Sequence, residues 1–528
     1  MDMGSIAYEF KPARTKKDLF SGLLKARKDF GGDRQIIVDG DERVLTYNEV
    51  VRASFALGSA LKNLTEKSEH VAVMLPTGAG AVIAFYALQA YGRIPAMFNF
   101  TAGSRNLKAA GRAAQVKKIV TAHKFIELGN LQPLIDELKA QYEIIYLEDV
   151  REDLSIADKA RGALGPIFPN VFKTKIGHKE TGVILFTSGT EGDPKGVVLS
   201  HENVMANVEQ VRAHIELFPD TDVLFNPLPT FHCFGLTVGA VLPLMAGIKS
   251  IFHPTPLQPK EIVKRIRKAK ATILLATDTF ISQYARAGDQ GDLDTLRLAV
   301  CGAERVRDET RQMVRKKYNI EILEGYGATE ASPVVAANQI GANVPGTVGQ
   351  LMSGMEHKLE PVPGIDKGGK MLVRGPNIMK GYLRSSSPGA IEPPKGGWHD
   401  TGDICTVDEQ GFIRIRGRVK RFAKVGGEMI SLAVVENCAS AIWPDNMHAA
   451  AAIPDTRKGE QIVLLSDAEG VNRPDMLAWA QNHGVSELSV PRKVFTVDQI
   501  PVLGTGKVDY GSVTKLAHEL AGVTDTPA

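Results

Sequence analysis

Ten residues in the middle of the chain constrain its fold more than any others. Residues 181–200 read TGVILFTSGTEGDPKGVVLS. Residues 182–186 are a short apolar run with β-branched Val and Ile, the pattern of a buried strand. Residues 187–196 then hold three glycines, two threonines and a serine, which suit neither helix nor strand. Residues 197–199 return to an apolar run, so the expectation is a glycine-rich loop between two strands. Such a loop turns backbone N–H groups inward on an anion. Thr187, Ser188 and Thr190 add hydroxyl donors, Gly189 and Gly192 add freedom, and Lys195 adds a mobile positive charge. The bland alternative is an exposed Gly/Ser turn, which rarely carries so many hydroxyls beside a lysine. A Walker A loop is excluded, because Lys195 follows Pro194 and precedes a strand rather than opening a helix.

The chain around this loop alternates helical and strand patterns. Thr46 precedes an apolar stripe through Val50, Phe55, Leu57, Leu61 and Leu64, which predicts an N-capped amphipathic helix. Residues 70–75, 97–100, 119–121 and 143–147 read as strands, and residues 79–91 as a helix. Residues 104–118 are basic on one face. After the loop come a helix over 202–217 and strands over 271–276, 296–302 and 320–323. This alternation predicts a largely parallel α/β sheet. Residues 346–416 are rich in Gly and Pro with short strands, so a β-rich subdomain is expected there. A small α+β unit follows, with strands over 449–453, 461–466 and 494–497 and a helix over 475–483.

Several loops then stand where such sheets bind ligands, at the carboxyl ends of strands. Gly302, Ala303 and Glu304 follow one strand. Gly325, Tyr326, Gly327, Ala328, Thr329 and Glu330 follow the next. The glycines let backbone approach a flat ring, Tyr326 offers a ring face and Thr329 a hydroxyl. Glu330 offers a hard oxygen ligand suited to Mg²⁺ beside a triphosphate. His232 lies among Phe231, Cys233 and Phe234, in a stretch fixed by Pro227 and Pro229. Asp403 follows Thr401 and Gly402 in WHDTGD. Residues 417–427 read GRVKRFAKVGG, and residues 503–509 read LGTGKVD, a glycine-flanked loop carrying Lys507.

In this order the motifs resemble the signature set of the adenylate-forming superfamily, which includes acyl-CoA synthetases, luciferases and nonribosomal adenylation domains. The resemblance runs from about residue 45 to residue 510. It implies an N-terminal AMP- and acyl-binding domain over 1–419 and a small mobile domain over 420–528. It implies ATP bound by the phosphate loop, by Gly302 to Glu304 and by the 325–330 motif. Asp403 would take the ribose hydroxyls and Arg418 would contact the nucleotide. Thr187 and Glu330 would hold Mg²⁺, and Lys195 would act on the phosphates. Phe231, His232 and Phe234 would line the carboxylate site, Lys420 would be the hinge, and Lys507 would swing into the site for activation.

Within the superfamily, LPTFHCFGLTVG, EGYGATEASPVVAAN, GPNIMKGYLR and VPRKVFTVDQIPVLGTGKVD are similar to one branch. That branch is the synthetase half of bifunctional 2-acylglycerophosphoethanolamine acyltransferase/acyl-acyl carrier protein synthetases. The acyltransferase half carries an H-x-x-x-x-D pair. None of the twelve histidines here has an aspartate five positions on. The resemblance therefore implies a stand-alone ligase joining a fatty acid to holo-acyl carrier protein at the cost of ATP. The alternatives are a ligase using CoA and an AMP-holding sensor without turnover. Arg421 and Lys424, in an acid-free stretch, are candidates for docking an acidic carrier.

The bulk numbers exclude other classes. Net charge is +3 over 528 residues, which does not suggest a nucleic-acid partner. Four cysteines without C-x-x-C spacing argue against a disulfide or zinc scaffold and for a reducing, cytoplasmic setting. No apolar run reaches about 18 residues, so no transmembrane segment is expected. The sequence leaves open which acid is used and whether the chain touches a membrane to collect it.

Overall fold

The computed structural model describes residues 8–187, 193–425, 428–455, 459–502 and 508–523. By contacts the chain divides into two compact units: Met1–Glu356 with Arg374–His399, and His357–Val373 with Asp400–Ala528. The β-rich stretch is thus split. Most of its four-stranded sheet (Glu356–Glu360, Gly369–Arg374, His399–Val407, Ile413–Arg418) goes with the C-terminal residues.

The first unit is α/β, built on two sheets. One has eight described strands in the order Ser387–Glu392, Gly381–Arg384, Lys195–Ser200, Thr181–Thr187, Ile94–Met97, His70–Val73, Lys118–Thr121, Glu143–Tyr146. The strands from Thr181–Thr187 onward pair in parallel. The other sheet has nine described strands and a parallel centre running from Glu321–Gly327 through Leu298–Cys301, Ile273–Ala276 and Val223–Asn226 to Lys249–Phe252. Parallel pairing demands crossovers, and the helices between strands supply them. The Tyr47–Leu64 helix forms as its sequence requires. Thr46 and Glu49 make a capping box, with Thr46 N–H donating to Glu49 (2.7 Å) and Glu49 N–H to Thr46 Oγ1 (3.2 Å). Its apolar stripe buries Val50, Val51, Phe55 and Leu61.

The second unit carries, beside the four-stranded sheet, a five-stranded one built on Phe422–Val425, Glu428–Ser431, His448–Asp455, Gly459–Ser466 and Lys493–Thr496. Helix Leu432–Ile442 and helix Arg473–Asn482 cover one face, with Ala439, Met476 and Leu464 in one core cluster. Helix Tyr510–Ala521 covers the other through Val513 and Ala517, against Ala451 and Leu465. That helix has no counterpart in the sequence reading, and neither does the first one, Leu19–Phe30. Among the described residues, no helix is long and apolar enough to cross a membrane.

Candidate functional site

The two strands that bracket the expected phosphate loop pair antiparallel. Strands Thr181–Thr187 and Lys195–Ser200 pair in a register that sets Thr187 opposite Lys195. The expected donors Ser188, Gly189, Thr190 and Gly192 lie outside the described residues. Beside the hairpin runs strand Gly381–Arg384, with Tyr382 opposite Val197 and Leu383 opposite Gly196. This brings Tyr382 under Lys195, whose ammonium lies 5.2 Å from the ring centroid. The Tyr382 hydroxyl donates to Glu330 Oε1 at 2.7 Å. One tyrosine therefore links the loop lysine to the carboxylate expected to hold Mg²⁺. The sequence reading gave Tyr382 no role. Arg384 stacks on the same ring at 5.6 Å and pairs with Glu392 at 2.6 Å.

Glu330 stands in the short turn Thr329–Ala331, at the carboxyl end of the Glu321–Gly327 strand. Its carbonyl accepts from Met379 N–H at 2.8 Å, fixing the turn against the segment that leads to Tyr382. The donor set fits Mg²⁺: one carboxylate with an oxygen not taken by Tyr382, and the Thr187 hydroxyl at the strand end. Mg²⁺ commonly binds through one or two carboxylates with substrate phosphates and water. Consistent with so few protein ligands, no group of three His, Cys, Asp or Glu that could hold a metal occurs among the described residues.

The loops expected to hold the base lie at adjoining strand ends. Leu298–Cys301 runs parallel to Glu321–Gly327, with Cys301 opposite Glu324. Ala303 is held at φ 71°, a left-handed conformation unusual for alanine. A Cβ on Gly302 would meet the Phe234 ring at 3.4 Å and the Gly325 carbonyl at 3.6 Å, so Gly302, Gly325 and Phe234 come together. Tyr326 is buried, with 8% of its surface open. The side chain of Glu304 is engaged elsewhere: it accepts from the N–H and hydroxyl of Thr279 (3.1 and 3.0 Å) at the start of helix Asp278–Ala287. Glu324, a second position without an assigned role in the sequence reading, clamps the base loop to the strand. It accepts from Val306 N–H at 2.9 Å and pairs with Arg311 at 2.5 Å. Burial holds its carboxyl above the usual carboxylate range.

The region expected to hold the carboxylate is aromatic. Phe125, Phe100 and Phe231 form an edge-to-face series with centroids 4.9 and 5.0 Å apart, and Phe231 adjoins His232 at 4.8 Å. Beyond His232 the chain enters a π-helix, Phe234–Val241. Gly235 permits it: a Cβ there would lie 2.2 Å from the Pro229 carbonyl oxygen. Thr230, Leu236 and Val241, with Val82, Phe85 and Tyr86, line a small apolar pocket. The Tyr86 and Thr230 hydroxyls are buried without hydrogen-bond partners among the described residues. All four cysteines are buried, and burial pushes their thiols up, Cys233 to about 12 and Cys438 to about 11. A thiolate nucleophile is therefore not offered.

The second unit pairs the expected ribose and nucleotide residues. Asp403 faces Arg418 across adjacent strands, with Arg418 Nε 3.2 Å from Asp403 Oδ1. Lys420 follows in the turn Val419–Arg421. Arg421, expected to dock a carrier, closes that turn. Its guanidinium is turned inward: it pairs with Glu436, donates to the Ala450 carbonyl at 2.7 Å and stacks on Tyr510 at 3.6 Å. Lys424 is exposed. Lys507 lies outside the described residues.

The profile of the family described as AMP-binding enzymes matches residues 24–383. The long-chain fatty-acid–CoA ligase of Bacillus subtilis is 28% identical over 510 residues, 88% of each chain. The medium-chain fatty-acid–CoA ligase of Escherichia coli is 29% identical over 345 residues, 62% of this chain and 60% of that one. Among solved structures, ATP-bound MatB from Rhodopseudomonas palustris superposes with a TM-score of 0.82 at 23% identity, over 95% of this chain and 99% of that one. At that identity the likeness speaks for the fold.

Proposed function

The chain belongs to the family of AMP-binding enzymes, and we propose that within it this protein joins a fatty acid to the thiol of CoA through an acyl-adenylate. The observation that carries the proposal is the linked set Lys195, Tyr382 and Glu330 at the base of the phosphate hairpin. The cation lies over the Tyr382 ring and the carboxylate at its hydroxyl, an arrangement suited to gripping a triphosphate and its counter-ion. The names of the fatty-acid–CoA ligases to which the chain is similar favour a fatty acid as the acid and CoA as the acceptor. Holo-acyl carrier protein, favoured by the branch resemblance, is the second reading. Arg421, one of the two residues expected to dock it, is engaged by Glu436 and the Ala450 carbonyl.

A carboxylate is a poor electrophile and does not accept a thiol at neutral pH. The acid's oxygen attacks the α-phosphorus of ATP, the bond to the β-phosphate oxygen breaks, and pyrophosphate leaves. Lys195 offsets charge on the β and γ phosphates, and Lys507 would stabilise the acid and α-phosphate oxygens. Bound Mg²⁺ would add charge neutralisation between the phosphates, held by Glu330 and Thr187. Phe231 and Phe234 exclude water from the mixed anhydride, and His232 orients the carboxylate. Rotation of residues 420–528 about Lys420 would then withdraw Lys507 and admit the thiol. The sulfur bonds to the acyl carbon, its proton passes to solvent, and AMP departs.

Acid-dependent exchange of labelled pyrophosphate into ATP, with no thiol present, tests this reading. Lys507→Ala should lower exchange about 10²-fold or more, yet convert a supplied acyl-adenylate to thioester at a near-normal rate. Absence of exchange with every medium- and long-chain acid would overturn the proposal.

A further inference from the structure

The first unit presents an apolar surface that the ligase chemistry does not use. Helix Ile156–Leu164 ends in Leu164, and a tight segment follows through Gly165, Pro166, Ile167 and Phe168 to the short helix Pro169–Phe172. Ile167 is 63% exposed, Phe168 54% and Val171 75%, with Leu164 beside them also exposed. Three large apolar side chains within five residues are costly to leave in water without a use.

The segment is not a loose loop. Gly165 N–H donates to Arg161 O (2.8 Å), Phe168 N–H to Leu164 O (2.8 Å), Val171 N–H to Phe168 O (3.0 Å) and Lys173 N–H to Pro169 O (2.9 Å). Arg27 Nη1 donates to the Pro166 carbonyl at 2.8 Å. Gly165 lies so close to Phe55 that a Cβ would meet its ring at 2.3 Å. Gly165 and Pro166 are thus the inward anchor, and Ile167 and Phe168, next in sequence, are left outside. Lys173 adds a second tie, 2.7 Å from Ser21 Oγ and 3.3 Å from Asp18.

Between Asp158 and Glu180 the chain itself is basic, although Arg161 pairs with Asp158 and Lys173 with Asp18. From residue 159 to residue 179 the chain carries Lys159, Arg161, Lys173, Lys175 and Lys179 and no Asp or Glu. Lys159, Lys175 and Lys179 are exposed and make no ion pair among the described residues. A fixed apolar tip flanked by unpaired lysines complements one kind of surface, an anionic bilayer. The side chains enter the acyl boundary while the ammonium groups meet lipid phosphates. We propose that residues 164–171, flanked by Lys159, Lys175 and Lys179, dock the protein reversibly on an anionic lipid surface.

The experiment is sedimentation of the full chain with vesicles of phosphatidylcholine, with and without phosphatidylglycerol. The wild type should partition to the anionic vesicles. Raising salt from about 0.05 to about 0.5 M should weaken the binding. Ile167→Ser with Phe168→Ser and Val171→Ser should lower partitioning about tenfold or more, and Lys175→Glu with Lys179→Glu should abolish the preference for phosphatidylglycerol. These positions are exposed, so fold and pyrophosphate exchange in free solution should persist, which keeps the test separate from the proposed function. Failure of the wild type to bind either vesicle, or binding untouched by both variants, would overturn the proposal. So would a protein dimer in solution that the triple serine variant dissociates, since the surface would then meet protein.

Discussion

Replacing Arg421 with alanine separates a structural cation from a docking one, and its size follows from the contacts. Arg421 and Glu436 side chains are only 14% and 13% exposed. Truncation removes the ion pair, the donor to the Ala450 carbonyl and the stack on Tyr510. Glu436 keeps the Ala450 N–H at 2.8 Å and the Tyr510 hydroxyl at 3.2 Å. Breaking a buried pair by removing one partner costs about 3–5 kcal/mol. The donors that remain on Glu436 and its residual exposure place this case at the lower end, about 3 kcal/mol. Burial already raises the Glu436 carboxyl pKa, and Arg421 opposes that rise. Without Arg421 the carboxyl goes higher still, so the ionised form is penalised more. The deficit of the variant should then grow as pH rises above the usual carboxylate range. Urea unfolding followed by tryptophan fluorescence is the assay, because Trp443 and Trp479 both pack on the second unit's core. Adding Glu436→Gln to Arg421→Ala should recover about 1–2 kcal/mol, since the stranded charge is gone. Lys424→Ala should change nothing measurable. Arg421→Ala within about 0.5 kcal/mol of wild type would refute the reasoning and return Arg421 to the surface.

Two further outcomes follow from single contacts. Tyr382→Phe keeps the ring under Lys195 but removes the bond to Glu330. It should slow pyrophosphate exchange about tenfold, the lower end for a hydrogen bond to a charged group, and raise the Mg²⁺ concentration for half-maximal exchange, while transfer from supplied adenylate stays near normal. Equal loss in both half-reactions would make the tyrosine merely structural. His201 is buried, and its Nδ1 accepts from Leu19 N–H at 3.2 Å; burial lowers its pKa from 6.5 to about 4. Its folded value lies below the unfolded one, so its contribution is whole above pH 6.5 and is lost as pH falls towards 4. His201→Asn keeps an acceptor without the titration. The stability advantage of wild type over this variant should shrink by about 2 kcal/mol between pH 8 and pH 5, and a flat difference would contradict the assignment.

The sequence carried the architecture where the signal was local. The hairpin around the phosphate loop, the capped helix after Thr46 and the parallel strands were legible because hydrophobic period and cap chemistry lie within a few residues. The missed contacts are between residues distant in the chain. Tyr382 becomes part of the site only because its strand pairs with residues 196–198, a register no local pattern reveals. Arg421 reads as part of a cationic surface run until Glu436, a full helix turn into Leu432–Ile442, draws it inward. Glu304 follows a strand end expected to bind a ligand, and its carboxylate accepts from Thr279. In each case the partner was supplied by tertiary packing rather than by sequence neighbours.

Competition between acceptors tests the central claim most directly. Purified protein is given ATP, Mg²⁺ and a fatty acid with equal concentrations of CoA and holo-acyl carrier protein, and AMP and both thioesters are measured. The account predicts AMP formed one for one with acyl-CoA, and little acylated carrier. AMP formed only with the carrier would contradict the proposed acceptor, and no acid-dependent AMP with either thiol would contradict the ligase itself.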